Sequence, residues 1–377
     1  MTTHKRSLDS FRDVSPPQPR KRRVRESAGD ASKPAGESLT IATPERKETE
    51  HLEDLQIFSW NVNGIGPLIQ RPITSFFGTQ SGAAPPIRAF LRRHGWPQIV
   101  CLQEVKINST DHATQRALKS AVNPPVAGDD HGPAYTVRVC LPRDKFNARG
   151  FSGKIYGVAT LIREDSWELE VDNCREVDWD LEGRVLVLEM KSKLAIFNIY
   201  AVNGTDSPYR DSQSGAIVGT RHDRKLQFHK ALMDECIAME KRGFKVVLAG
   251  DFNIARSALD AHPFLRTSSQ HASNRADFNE KFISGGLKAV DTFRHLHGDL
   301  RKFTYYPRGK DWGAGCDRVD LVLISNGLQQ SLLRSDVFDS PAERGPSDHV
   351  PLYIALDQNS SQEGEHGDAS SITENSG

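Results

Sequence analysis

Residues 245–255 read K-V-V-L-A-G-D-F-N-I-A, and both the fold class and the chemistry of the chain can be traced outward from them. Val246, Val247, Leu248 and Ala249 form a short apolar run, which predicts a strand buried on both faces. Gly250 lets the backbone turn where that strand ends. Asp251 and Asn253 follow at i and i+2, so in extended backbone they project to one side. A carboxylate and a carboxamide fixed together at a strand end can orient one water and hold one phosphate oxygen. The same letters also describe an ordinary strand closing in an Asx turn, so the other strand ends of the chain decide between the two.

Those ends repeat the pattern. F-S-W-N-V-N-G-I places Asn61 and Asn63 at the end of a first strand, and I-V-C-L-Q-E-V-K places Glu104 after a second. N-I-Y-A-V-N-G gives Tyr200 and Asn203. C-D-R-V-D-L-V-L-I-S sets Asp320 beside a late buried strand, and G-P-S-D-H-V-P-L sets Asp348 and His349 just before the last. Any one of these is ordinary, since a Glu after a strand is usually exposed and a lone His is usually structural. Repeated over six segments, they predict convergence on one site. The chemistry such a site suits is phosphodiester hydrolysis. That reaction needs a hard divalent cation on oxygen ligands, a positioned water, donors for developing charge, and a His for proton transfer or phosphate binding. Glu104 and Asp348 offer carboxylate oxygens for Mg²⁺, and Asn61, Asn63, Asn203 and Asn253 offer neutral polar groups. Asp320 is placed to orient His349.

Apolar runs predict strands at 55–60, 99–102, 135–141, 157–162, 319–324 and 351–356, with a short helix at 87–93. Segments 185–190 and 194–200 alternate around Lys191-Ser192-Lys193, a hairpin. Apolar positions 226, 228, 232, 233, 236 and 237 mark a helix over 223–241 that stops at Gly243. Many strands with a few outer helices predict an α/β protein built on two packed sheets. Stretches 66–86, 205–220 and 256–273 read as loops long enough to contact a substrate.

The chain has 377 residues and zero formal net charge, with 37% hydrophobic and 26% charged side chains, a globular composition. Residues 1–50 hold 11 basic and 8 acidic groups but few large apolar ones, which predicts a disordered tail. Within it, P-R-K-R-R-V-R at 19–25 is a basic cluster of nuclear-import type, so the expected location is the nucleus. Residues 358–377 are a second polar tail, acidic and disordered by composition, leaving 51–357 as one domain. Five widely spaced cysteines without a C-x-x-C argue against a disulfide framework or a zinc site. The absence of a membrane-length apolar run or a signal-peptide core predicts a soluble intracellular protein without a membrane partner.

W-N-V-N-G, L-Q-E-V-K, G-F-S-G, E-G-R-V, Y-x-x-N-G, G-D-F-N-I-A, D-T-F-R-H-L, R-V-D and S-D-H-V-P-L occur here in one order. That order resembles the endonuclease/exonuclease/phosphatase (deoxyribonuclease I-like) superfamily, and within it the exonuclease III type of apurinic/apyrimidinic (AP) endonuclease. The resemblance implies a four-layered α/β sandwich, two packed mixed β-sheets flanked by helices. It implies a monomeric enzyme that uses Mg²⁺, with Mn²⁺ as a substitute, and nicks duplex DNA 5′ to abasic sites. A 3′-exonuclease or 3′-phosphodiesterase activity would accompany this. Carried over by position, Tyr200, Asp251, Asn253, Asp320 and His349 are catalytic, and Asn203, Tyr306 and Arg318 bind substrate. The metal environment would draw on Asn61, Asn63, Glu104, Asp251, Asn253, Asp348 and His349, with Glu104 the principal ligand. The chain departs from the pattern at Asn63, where many relatives have Asp, and at Asp317, where an apolar or aromatic residue is usual. Tyr305-Tyr306 stands where Phe or Trp is common, beside the pocket for a flipped-out sugar. Two alternatives are a phosphodiesterase of the same fold acting on RNA, phospholipid or a DNA–protein adduct, and a non-catalytic nucleic-acid-binding protein. D-T-F-R-H-L speaks against the first, and the retention of Glu104, Asp251, Asp320, Asp348 and His349 against the second.

Overall fold

A computed structural model describes residues 54–70, 85–124, 131–148 and 156–358. The basic cluster at 19–25, the acidic tail, the G-F-S-G motif and most of the 66–86 loop lie outside the described residues. In chain order the strands are β1 (Leu55–Asn61), β2 (Ile99–Gln103), β3 (Tyr135–Cys140), β4 (Val158–Arg163), β5 (Val171–Glu176), β6 (Val185–Met190), β7 (Leu194–Tyr200) and β8 (Pro208–Arg210). They continue as β9 (Ile217–Thr220), β10 (Lys245–Asp251), β11 (Ala261–His262), β12 (Val290–Asp291), β13 (Cys316–Asp317), β14 (Asp320–Ile324), β15 (Leu332–Val337) and β16 (Leu352–Leu356).

Two six-stranded sheets result, ordered β15-β16-β1-β2-β4-β3 and β12-β14-β10-β7-β6-β5. Each is mixed. β1 runs parallel to β2 and β7 parallel to β10, while the remaining pairs are antiparallel. The inner faces meet in one core, where Ile57, Cys101 and Ile354 pack with Ile196, Val247 and Val322. The outer face of the first sheet is covered by the helices Pro86–Arg93 and His112–Val122, through Phe90, Leu91 and Leu118. The outer face of the second is covered by the helix Arg221–Lys241 and a π-helix, Asp277–Leu287. Four layers follow, helix, sheet, sheet, helix. No helix among the described residues is long and apolar enough to cross a membrane.

The topology decides where function can sit. In a parallel pair both strands end on the same edge, so β1 with β2, and β7 with β10, deliver their C-terminal residues together. β14 and β16 run antiparallel to their neighbours, so it is their starts that reach that edge, as the pairing of Asp251 with Asp320 shows. All six polar strand ends read from the sequence therefore lie on one rim. The crevice outside the carboxyl ends of strands is the usual ligand site of α/β sheets.

The 205–220 loop differs from expectation, for it carries a small hairpin of β8 and β9. Its α-helical neighbour is capped by Thr220 and Asp223, which bond each other's backbone in a capping box.

Gly250 is required by the close approach of β10 to β7. Its φ is +155°, and a Cβ added there would lie 1.9 Å from the Ile199 carbonyl oxygen. Gly250→Ala is expected to cost about 3 kcal/mol or more, because the clash is with backbone that cannot swing aside. Urea denaturation measures this. A variant within about 0.5 kcal/mol of wild type would contradict the packing described.

Candidate active site

Four of the rim residues are held in left-handed backbone that non-glycine residues rarely adopt. Asn63, Glu104, Lys106 and Asn253 have φ of 49°, 51°, 54° and 53°. Each such residue costs on the order of 1 kcal/mol and persists only where surrounding structure enforces it, a pattern that concentrates at functional sites.

A chain of hydrogen bonds ties the two sheets together at this edge. The Asn61 amide, fully buried at the end of β1, donates to Glu104 Oε1 at 3.1 Å and to Asp251 Oδ2 at 3.0 Å. Asp251 also accepts from the Asn253 backbone N–H at 2.7 Å, and Asn253 Nδ2 donates to the Ala201 carbonyl at 3.1 Å. The amide of Asn63 donates to Asp348 Oδ1 at 2.8 Å. The Lys106 ammonium contacts both Glu104 Oε2, at 3.0 Å, and Asn63 Oδ1. Behind them, Asp320 Oδ2 bonds His349 Nδ1 at 2.7 Å, while Asp320 Oδ1 is buried with no hydrogen-bond partner among the described residues. Glu104, Tyr200, Asn203, Asp251, Asn253, Asp348 and His349 line one cavity of about 240 Å³.

Burial and charge tune these groups in different directions. Burial, reinforced by the charge of Asp320, pushes the Asp251 carboxyl well above the usual carboxylate range. Burial alone would lower the His349 imidazole, but the charge and hydrogen bond of Asp320, with Asp251 and Asp348 behind them, raise it to about 10. Burial also opposes ionisation of Glu104, yet Lys106 and Asn61 hold its carboxyl below the usual range. Burial, with Glu104 close by, lifts the Tyr200 hydroxyl far above its ordinary value, so it remains a donor.

Asp251, Asp320 and His349 bring ligand-type atoms within 4.8 Å of one another. Within that group His349 Nδ1 is bonded to Asp320 Oδ2, and the carboxylates around the ring favour its protonated form. His349, expected among the residues of the metal environment, sits in this group with Asp251 and Asp320. The donor set that fits a hard divalent ion is Glu104 with Asp348, Asn61 and Asn63, all oxygen donors with no sulfur among them. Lys106 marks the same spot as one that favours positive charge.

Residues 58–349 match the model of the Endonuclease/Exonuclease/phosphatase family. The chain belongs to that family. It is 28% identical over 186 residues to an exodeoxyribonuclease of Streptococcus pneumoniae, a match covering 47% of this chain and 60% of that one. It is 24% identical over 340 residues to a DNA-(apurinic or apyrimidinic site) endonuclease of Dictyostelium discoideum, covering 85% and 76%. Among solved structures, an AP endonuclease from Archaeoglobus fulgidus superposes with a TM-score of 0.54 at 18% identity, covering 80% of this chain and 99% of that chain. A 3′ phosphatase from Neisseria bound to product DNA hairpin gives 0.55 at 21% identity, again covering 80% and 99%. Both share the fold of two helix-flanked sheets.

Within this family member, seven of the residues singled out from the sequence line the cavity, Asn61, Asn63 and Asp320 are hydrogen-bonded to residues that line it, and two lie away from it. Arg318 is buried and gripped by Asp260 at 2.7 Å and Asp291 at 2.8 Å, so it serves the core and not a substrate. Tyr306 is also buried. Its hydroxyl bonds Asp339 and its ring stacks on Trp312 at 3.7 Å, while the neighbouring Tyr305 lines the cavity. Lys225 was not anticipated. It lies in register with the buried stripe Phe228, Leu232, Cys236 and Met239, and its ammonium donates to the carbonyls of Asn253 at 2.8 Å and Phe252 at 3.3 Å. Burial, opposed by Asp251, lowers Lys225 to about 7. Arg266, His271, Asn274 and Arg275 add a largely basic rim that no sequence motif announced.

The Asp320–His349 pair yields a direct test. With the Asp320 charge present, the imidazole stays protonated through neutral pH and loses its proton only near pH 10. Asp320→Asn leaves burial as the dominant influence, so His349 should become neutral below about pH 8. Histidine NMR titration of metal-free protein reads this. A variant ring still protonated at about pH 8 would show that Asp320 does not set its charge.

Proposed function

We propose that this protein is a divalent-metal-dependent DNA phosphodiesterase, an AP endonuclease that nicks duplex DNA 5′ to abasic sites and leaves a 3′-hydroxyl. The observation that carries the reading is the Asn61 amide shared between Glu104 and Asp251. It couples a carboxylate suited to a cation to a second one suited to a water. Asp251, with its proton affinity raised by burial, orients and deprotonates the attacking water, and Asn253 fixes its carboxylate through the backbone N–H. His349, kept positive by Asp320, and the protonated Tyr200 hydroxyl donate to non-bridging phosphate oxygens where negative charge develops. Asn203, on the same wall, holds the phosphate in place. Glu104, Asp348, Asn61 and Asn63 would hold Mg²⁺, which when bound acts as a Lewis acid on the phosphate. Arg266 and Arg275 at the rim supply the charge that the DNA backbone requires. The names of the relatives, an exodeoxyribonuclease and an abasic-site endonuclease, support a DNA substrate.

Incubation of purified protein with a duplex carrying one abasic site tests the reading. Mg²⁺ should give a single nick 5′ to the lesion with an end that a polymerase extends, and EDTA should abolish it. Glu104→Gln should raise the Mg²⁺ concentration for half-maximal rate by about tenfold or more, as loss of a fixed charge on the ion requires. Cutting undiminished in EDTA, or unchanged metal dependence in folded Glu104→Gln, would contradict the assignment.

A further inference from the structure

Buried positive charge in this chain is usually met by a carboxylate. Arg184 is bonded to Glu182, Arg224 to Asp180, and Arg318 to Asp260 and Asp291. Lys225, 2% exposed near the start of the helix Arg221–Lys241, is met differently. It forms no ion pair among the described residues, and its ammonium donates to two backbone carbonyls, those of Asn253 at 2.8 Å and Phe252 at 3.3 Å. A methionine in its place would continue the apolar stripe of Phe228 and Leu232 without the cost of stripping an ammonium of its water. The charge therefore answers to something at the carbonyls it holds.

Those carbonyls flank Asn253. The Phe252 carbonyl and the Asn253 N–H belong to one planar peptide group and point in opposite directions. Lys225 holds the oxygen end of that group, and the hydrogen end donates to Asp251 Oδ1 at 2.7 Å. Ammonium, peptide and carboxylate form a relay in which each bond polarises the next. Asp251 is thus the counter-ion of Lys225, met across one peptide group. The second carbonyl, that of Asn253 itself, completes the grip on the other side of its Cα. Fixing both peptide groups around a residue fixes its φ and ψ, and Asn253 is held in left-handed backbone at φ 53°. That conformation also delivers Asn253 Nδ2 to Asp251 Oδ2 at 3.3 Å and to the Ala201 carbonyl at 3.1 Å. Both oxygens of Asp251 lean on a residue whose backbone Lys225 clamps.

We propose that Lys225 is a positioning residue for the water-activating carboxylate: by clamping both carbonyls around Asn253 it aims the Asn253 N–H at Asp251 and sets the direction in which that carboxylate faces the cavity. This rests on the phosphodiesterase reading and adds to it a residue that acts through another. The groups assigned to the phosphate, Tyr200, Asn203 and His349, make no hydrogen bond to Lys225 among the described residues, so rate and affinity should separate when Lys225 is changed. A displacement of about 1 Å at a reacting group lowers the rate on the order of 10²-fold.

Lys225→Met keeps the length and packing of the stem and removes the donor. On duplex carrying one abasic site, its kcat should fall by about tenfold or more while KM stays within about threefold of wild type. Lys225→Arg, which offers paired N–H groups to the same two carbonyls, should recover most of the loss. Amide hydrogen exchange of metal-free protein reads the clamp without any reaction. The Asn253 N–H should exchange slowly in wild type and about tenfold or more faster in Lys225→Met. An Asn253 amide that exchanges in wild type as fast as the amides of exposed loops would overturn the proposal, whatever the variants do. So would a folded Lys225→Met whose kcat is within about threefold of wild type, or whose loss is carried by KM. The hydrolase reading would stand in each of these cases, because wild type still cuts. Wild type that leaves the abasic duplex intact in Mg²⁺ would overturn that reading instead, and the exchange contrast would then uphold the clamp on Asp251 by itself.

Discussion

Two carboxylates and one imidazolium are buried within reach of each other, and the surrounding structure is arranged to make that bearable. Asp251, Asp320 and His349 are 1%, 0% and 6% exposed. Unit charges about 4 Å apart interact by roughly 4 kcal/mol at the effective dielectric of a protein. Repulsion between the two carboxylates is therefore comparable to the attraction each has for the ring. His349 is best placed for Asp320, which bonds it directly, and Asp251 is left with the deficit. Its compensation is neutral or distant: the Asn61 amide, the Asn253 N–H, and Lys225, which acts through the backbone carbonyls that follow Asp251. A carboxylate so under-compensated holds a proton more readily than usual, which is the property a general base near neutral pH needs.

This arrangement depends on the two parallel pairs. β1 with β2, and β7 with β10, each bring two carboxyl ends to one edge, and the core between the sheets fixes the edges against one another. Asn61 comes from one sheet and Asp251 from the other, so their hydrogen bond measures how well the sheets are registered. Left-handed backbone at Glu104 and Asn253 then aims the side chains inward where a regular strand would point them along its own alternation.

Much of this was legible in the residues alone, for a physical reason. Central strands are buried on both faces, so Ile99–Gln103 and Lys245–Asp251 announce themselves as apolar runs. Some edge strands do not, although the edge strand Tyr135–Cys140 keeps enough apolar residues to be read. Val171–Glu176 and Leu332–Val337 pair on one side only and keep charged residues, and neither was anticipated. The surface helix His112–Val122 is mostly polar, and its cap, Asp111, is its clearest signal. At the site, side-chain direction was the missing information. Tyr305 and Tyr306 are adjacent, as are Asp317 and Arg318, and alternation assigns one of each pair to the cavity. Which one depends on a register set by the ladder to His349, which no local pattern records. Lys225 was hidden because a lysine in line with an apolar stripe is normally read as solvated.

The most direct measurement separates binding from cutting in a single variant. Asp251→Asn keeps the size and the contact with Asn61 but removes the carboxylate that takes a proton from water. Single-turnover nicking of abasic duplex should fall by roughly 10²–10⁴-fold, the range for a positioned acid–base group. Affinity for the same duplex, carried mainly by phosphate contacts, should be retained or increase. Nicking within about tenfold of wild type would contradict the account, because Asp251 would then be a turn residue at a strand end and nothing more.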